Sequence, residues 1–263
     1  MGLAFLYRTA PGRVLLRLLR ARWVSRLAGA FLDTPLSRPL IGPFVRRNGI
    51  DLSLCESTDF RSFNDCFTRK LRPELRPFDP DPAALCAPCD GLLTVCPIAR
   101  GTVLSAKGCE YTVASLLRDE AAAGAFTGGH AFIFRLCVDH YHRYAYPASG
   151  SKGPDTAIDG TLHTVRPVAL ERVRVFCENS RRWCRLDCPG FGPMVQMEVG
   201  AMLVGRIENR MPGPGSFARG EEKGMFLYGG STVILLAGPD VLPRADFKAD
   251  TETPVRMGER INQ

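Results

Sequence analysis

From Leu85 onward the chain is a series of short apolar runs, LLTV, AFIFRLCV, VRVFC, MVQMEVGAMLVGRI and TVILL, punctuated by Gly or Pro. Runs of this length, rich in β-branched and aromatic residues and bounded by turn residues, predict β-strands. One helix is expected among them, over TVASLLRDEAAAG, with Thr112 placed to cap its start and Gly124 past its end. Many short strands with one main helix constrain the body to an α+β fold, β-rich and barrel- or sandwich-like. Ahead of it, TDFRSFNDCFTRKLRPELRPFDPDP (58–82) reads as an amphipathic helix ended by its prolines. Phe60, Phe63 and Phe67 recur in it at helical spacing, which ordinarily means core packing.

The formal charge of +7 suits an anionic partner, and much of it sits at the start. From Met1 to Leu32 there is no acidic residue, while Arg8, Arg13, Arg17, Arg20, Arg22 and Arg26 alternate with leucines and aromatics. No apolar run approaches the roughly 20 residues of a bilayer span. An interfacial helix explains the pattern best, ahead of a mitochondrial transit peptide or a helix docked on the core. The chain thus divides into a basic membrane-associating segment, 1–57, and a folded body, 58–263. Ten cysteines are many, yet neither Cys86-x-x-Cys89 nor Cys184-x-x-x-Cys188 has a nearby His to complete a metal set. Reduced, buried thiols and no metal are expected.

Three polar clusters stand out. APCDGLL (87–93) places Asp90 before Gly91 in a turn. VDHYHRYAYP (138–147) holds His140 and His142, which in a strand would share a face. FLYGGSTVILL (226–236) sets two glycines and Ser231 at the mouth of a strand. A Ser/His/Asp set is therefore available, but no G-x-S-x-G elbow accompanies it.

Six ordered blocks together resemble the phosphatidylserine decarboxylases, the pyruvoyl enzymes that make phosphatidylethanolamine. They are the FxxFNDxFTRKLRPxxRP segment (60–77), Pro88-x-Asp90-Gly91, Lys107-Gly108-x-x-Tyr111, Tyr141-His142-Arg143, FGPMVQMEVGAMLVGRI (191–207) and GEEKGMFLYGGSTVI (220–234). The resemblance implies self-cleavage between Gly230 and Ser231. Ser231 would attack the Gly230 carbonyl, the resulting ester would eliminate, and position 231 would become a covalent pyruvoyl cofactor. It further implies Asp90 as the residue orienting a histidine base and His142 as an acid–base group in decarboxylation. A basic N-terminus that attaches to membrane is implied as well, with phosphatidylserine and an anionic surface as partners and a homodimer of processed chains; nucleic acid is not a partner.

The family's second motif histidine, its cleavage base, falls at Ala145, which cannot accept a proton. His163 in GTLHTVRP could substitute from a neighbouring strand, His142 could serve both steps, or His140 could shift in; of the three, His163 is favoured. Gly229 stands where many members have leucine. The alternatives are a decarboxylase of another amine-bearing carboxylate, or an unprocessed lipid-binding relative marked by Ala145. Direct continuation of the basic segment into the family-like part points to peripheral attachment on the cytoplasmic side of a bacterial inner membrane, rather than to a mitochondrial inner membrane.

Overall fold

The computed structural model describes residues 5, 9–19, 22–99, 102–106, 109–164, 169, 173–201, 206–229, 231–248 and 251–263. Arg8, Arg20, Lys107, Gly108, Gly230 and part of the 191–207 stretch (202–205) lie outside them. Among the described residues the N-terminal part holds α1 (Ala10–Leu19), α2 (Arg22–Leu32) and α3 (Ile41–Asn48). The short α4 (Phe63–Phe67) follows; α5 (Val113–Leu117), α6 (Glu120–Ala123) and α7 (Val175–Glu178) interrupt the strands. The strands are β1 (Gly91–Pro97), β2 (Thr102–Ala106), β3 (Cys109–Thr112), β4 (His130–Leu136), β5 (Arg143–Ala145), β6 (Gly150–Lys152) and β7 (Thr156–Ile158). They continue with β8 (Arg181–Cys188), β9 (Gly192–Val199), β10 (Ile207–Asn209), β11 (Gly215–Phe217), β12 (Glu222–Phe226), β13 (Ser231–Ala237) and β14 (Thr253–Val255).

Among the described residues the main sheet runs β11-β6-β8-β9-β13-β4-β1-β14, with β7 also on β8, and a smaller sheet runs β10-β12-β5. The pairings are antiparallel. The α+β expectation holds, as sandwich-like sheets and not a closed barrel.

The core explains why TVILL is apolar throughout. β13 lies between β4 and β9 and both its faces are covered. Val233, Leu235 and Ala237 enter the core shared with Tyr144 and Phe226 of the small sheet. Ile234 and Leu236 enter a second core with Leu116, Val175 and Phe176 on the opposite face. A strand buried on both sides cannot alternate polar and apolar residues, and each large side chain contributes about 2 kcal/mol.

Several local expectations change. The 58–82 segment is α-helical only over Phe63–Phe67, with a single 3-10 turn at Pro73–Leu75, and Thr68, past the helix end, folds its hydroxyl back onto the Asn64 carbonyl at 2.8 Å. Thr112 does cap a helix, with Ser115 reciprocating, but Arg118 in a left-handed conformation ends it and Asp119 caps a second. VRVFC is not a strand: residues 175–178 turn helically so that Val175 and Phe176 are both buried, Phe176 against Tyr111. The cysteines at 86, 89, 184 and 188 are buried free thiols, and burial pushes each of them up.

Candidate active site

Gly229 has φ of 121°, a value that favours glycine, and this answers why glycine precedes the strand. The turn lets Tyr228 pack edge-on against Phe44, Phe63 and Phe67 before the chain enters the sheet at Ser231. Ser231 pairs with Leu136 and, by alternation along β13, shares the face of Val233 and Leu235. Its side chain is fully buried, and Oγ has no hydrogen-bond partner. A buried hydroxyl without a partner costs about 1–3 kcal/mol, so the position asks for a chemical reason.

His142 is a second buried residue with an unpartnered polar atom. Its carbonyl accepts from Phe226 N at 2.9 Å, and its ring stands 4.2 Å from the Phe67 ring. Nδ1 lies 2.9 Å from the His140 carbonyl, which can only accept, so Nδ1 carries the proton. Burial pulls the imidazole down to about 3, although the His140 and Gly229 carbonyls favour the charged ring; Arg69 opposes them. The ring is therefore neutral near pH 7, and Nε2 keeps a lone pair that no hydrogen bond takes up. The Gly229 carbonyl, two residues before Ser231 in the chain, is among the groups that act on this ring. His140 does not share a strand face with it. It sits in a turn, where its Nδ1 accepts from Cys137 N at 3.1 Å. Cys137, Asp139 and His140 cluster closely enough to suggest a cation, but that nitrogen is occupied and Arg135 lies 3.1 Å from the thiol.

Asp90 and Ser231 flank the same end of β4, two strand spacings or about 10 Å apart across the backbone. Among the described contacts no histidine meets the Asp90 carboxylate. Arg76 takes both oxygens, at 2.7 Å for Nε to Oδ1, and Met257 N donates to Oδ1 at 2.9 Å. Gly91 follows because a Cβ there would meet the Arg135 carbonyl at 3.1 Å. Ala145 holds its place in β5 through its N–H on the Pro88 carbonyl and its carbonyl on Gln196 Nε2. With Arg143 it lines a cavity of about 390 Å³ beside Arg76 and Tyr141.

His163 is buried, with Nε2 3.7 Å from the Glu178 carboxylate. Asn179 grips the His163 backbone at both N–H and carbonyl and also donates to the Gly200 carbonyl at 2.7 Å. Gly200 follows Val199, the partner of Thr232. His163 is thus tied to the strand flanking Ser231 while its ring meets Glu178.

Comparison with known proteins places the chain. Residues 63–263 match the family model described as phosphatidylserine decarboxylase. Phosphatidylserine decarboxylase proenzyme 2 of Clostridium acetobutylicum is 39% identical, over 99% of this chain and 91% of that protein. The phosphatidylserine decarboxylase proenzymes of Desulfitobacterium hafniense and Clostridium perfringens are 38% and 37% identical, covering 95% and 97% of this chain and 87% and 90% of their own lengths. The chain belongs to the phosphatidylserine decarboxylase family.

Within the family-like blocks, three features escaped the sequence reading. Arg76 is the clamp on Asp90. Arg69 donates to the carbonyls of Asp139 and His140, fixing the turn that carries His142. Lys223 of GEEKG forms a fully buried ion pair with Glu198, which lies opposite Val233 and so on the face of Ser231. A lysine set between strand residues was the available signal for the last.

Proposed function

We propose that this chain decarboxylates phosphatidylserine to phosphatidylethanolamine at a membrane surface, using a pyruvoyl group made from its own Ser231. The carrying observation is a pair of buried atoms that no hydrogen bond takes up, the Ser231 hydroxyl and Nε2 of His142, whose ring feels the Gly229 carbonyl two residues before Ser231. His142 takes the hydroxyl proton, and Oγ attacks the preceding carbonyl, so that the 230–231 amide becomes an ester. Loss of the α proton then expels residues 1–230 as a carboxylate, and the dehydroalanine left at 231 takes up water and releases ammonia. The ends can separate without unfolding the sheet, since β13 is held by β4 and β9 on both edges.

A pyruvoyl group at the start of β13 would supply an electron sink for the carboxylate's departure. Around it, Phe67 and Tyr228 exclude water, and His142 holds or returns a proton at Nε2 in the apolar pocket. This reading gives His142 both proton-handling roles and leaves Asp90 to secure the turn at 88–91. Attachment to membrane is supported by the exposed Val14, Trp23, Leu27, Phe31 and Leu36, with Arg26, Arg38, Arg46 and Arg47 exposed nearby. No helix among the described residues is long and apolar enough to cross a membrane.

Intact mass spectrometry under denaturing conditions tests this. The expected result is two chains, 1–230 and 231–263, the shorter one blocked and lighter than a serine-started chain by one ammonia. A single uncut chain of 28.9 kDa would overturn the pyruvoyl reading and favour a lipid-binding relative marked by Ala145.

A further inference from the structure

Helix α2 presents two chemically different faces. Trp23, Leu27 and Phe31, four residues apart, are 59%, 63% and 46% exposed and form an apolar stripe. About half a turn away, Ser25, Gly29 and Asp33 close over a cavity of about 340 Å³ whose opposite wall includes Asn64, Arg206 and Tyr228. Two buried residues of this lining carry an oxygen without a partner, Ser25 Oγ and Asn64 Oδ1. Across the cavity two donors converge on one anion. Arg206 Nη1 donates to Asp33 Oδ2 at 2.7 Å, and Asn64 Nδ2 donates to Asp33 Oδ1 at 2.8 Å.

We propose that this cavity is the port for the substrate head group, with Arg206 and Asn64 gripping a phosphodiester that Asp33 imitates when no lipid is bound. The proposal rests on the reading above. A phosphodiester presents two anionic oxygens to a guanidinium and an amide much as the carboxylate does. The stripe of α2 would hold the acyl chains at the membrane surface, on the helix that roofs the cavity. Tyr228 in the wall is three residues from Ser231, within about 11 Å even for extended chain, so a serine moiety extending from the phosphate along it approaches position 231.

The test uses the full-length, uncleavable S231A protein, so that binding is read whether or not cleavage occurs. Dihexanoyl-phosphatidylserine, glycerophosphoserine and inorganic phosphate are titrated, with Trp23 fluorescence and amide shifts as readouts. Arg206→Gln should weaken the lipid at least tenfold, and glycerophosphoserine by a similar factor from a weaker start. Asp33→Asn should tighten both severalfold by removing one of the two carboxylates that compete for Arg206, the other being Glu208 on Nε at 2.7 Å. Arg206→Lys, which keeps the charge and loses the fork, should fall between and serves if the glutamine variant does not fold. Unchanged lipid affinity in the Arg206 variants would overturn the port. Equal, Arg206-dependent binding of inorganic phosphate and glycerophosphoserine would replace it with a free-phosphate site. An uncut wild-type chain that still binds lipid through Arg206 would keep the port and remove the decarboxylase reading. A cut, active chain whose KM ignores Arg206 would do the reverse.

Discussion

The two faces of β5 hold similar residue types and treat them in opposite ways. On the cavity side two arginines are matched to carboxylates: Arg143 donates to both oxygens of Glu222 at 2.8–2.9 Å, and Arg76 to both oxygens of Asp90. On the core side the Ser231 hydroxyl and His142 Nε2 are buried with nothing bound to them. Saturated charges fix a shape, because moving any of them strands a partner. Unsaturated polar atoms in a dry pocket add no stability, and their retention points to reaction. In the proposed reading, family-like residues fall into two groups that composition alone does not separate: Asp90 with the framework, His142 and Ser231 with the chemistry.

The sharpest way to break that division is to remove one group at a time. His142→Ala should slow chain splitting by about 10²-fold or more, the usual worth of a positioned base, while Ser231→Ala should abolish it. His163→Ala, which removes a ring facing Glu178, should change the rate by less than about threefold. The time course of the 231–263 fragment, followed by mass spectrometry, decides. A reversed order for the two histidines would restore His163 as the base. On the framework side, Arg76→Ala should cost about 2–3 kcal/mol by leaving the Asp90 carboxylate short of donors, with splitting slowed less than tenfold. Urea midpoints read the first effect. A larger loss of splitting than of stability would return Asp90 to the reaction.

A smaller effect sharpens the contrast through pH. The folded His142 ring, held down at about 3, refuses a proton that the unfolded chain accepts below about pH 6.5. Its contribution is complete above pH 6.5 and is lost as pH falls toward 3, with a slope of up to about 1.4 kcal/mol per unit. His130, also pulled down by burial, acts in the same direction. Urea titrations from pH 7 to 5, above the carboxylate range, should show the slope in wild type and a reduced one in His142→Gln. An unchanged slope would mean that His142 is not desolvated.

What could be read from the chain follows from how local each cause is. TVILL had to be a buried strand, and glycine before it is explained by one dihedral at Gly229. The α+β sandwich was legible from the same apolar runs. VRVFC was not, because five residues cannot separate a strand from one buried helical turn. Strand β8 went unnoticed although Cys184, Leu186 and Cys188 alternate with Arg185 and Asp187; its arginines and aspartate masked a period-two pattern. The helix expected over 58–82 lost to tertiary bonds, since Arg69 is drawn to the carbonyls of Asp139 and His140. Asp90 was found by motif but its partner was not: a motif names a carboxylate, and only the fold brings Arg76 to it.

The least expected effect is also the finest test of the two-sided view. Ala145→His reinstates the imidazole that the family resemblance leads one to expect. Tyr144 turns into the core, its ring 4.8 Å from that of Phe226, so alternation points residue 145 the other way, into the cavity with Arg76 and Arg143. There is room for the ring, and both backbone bonds of Ala145 can persist. A histidine there meets an Asp90 already held by Arg76, on the face of β5 opposite the Ser231 hydroxyl. Splitting should therefore change by no more than about threefold, within the range expected of a side chain that does not touch the reacting atoms. An acceleration of tenfold or more would mean that position 145 reaches Ser231 after all, and that this chain cleaves itself through a weakened version of the motif and not through His142.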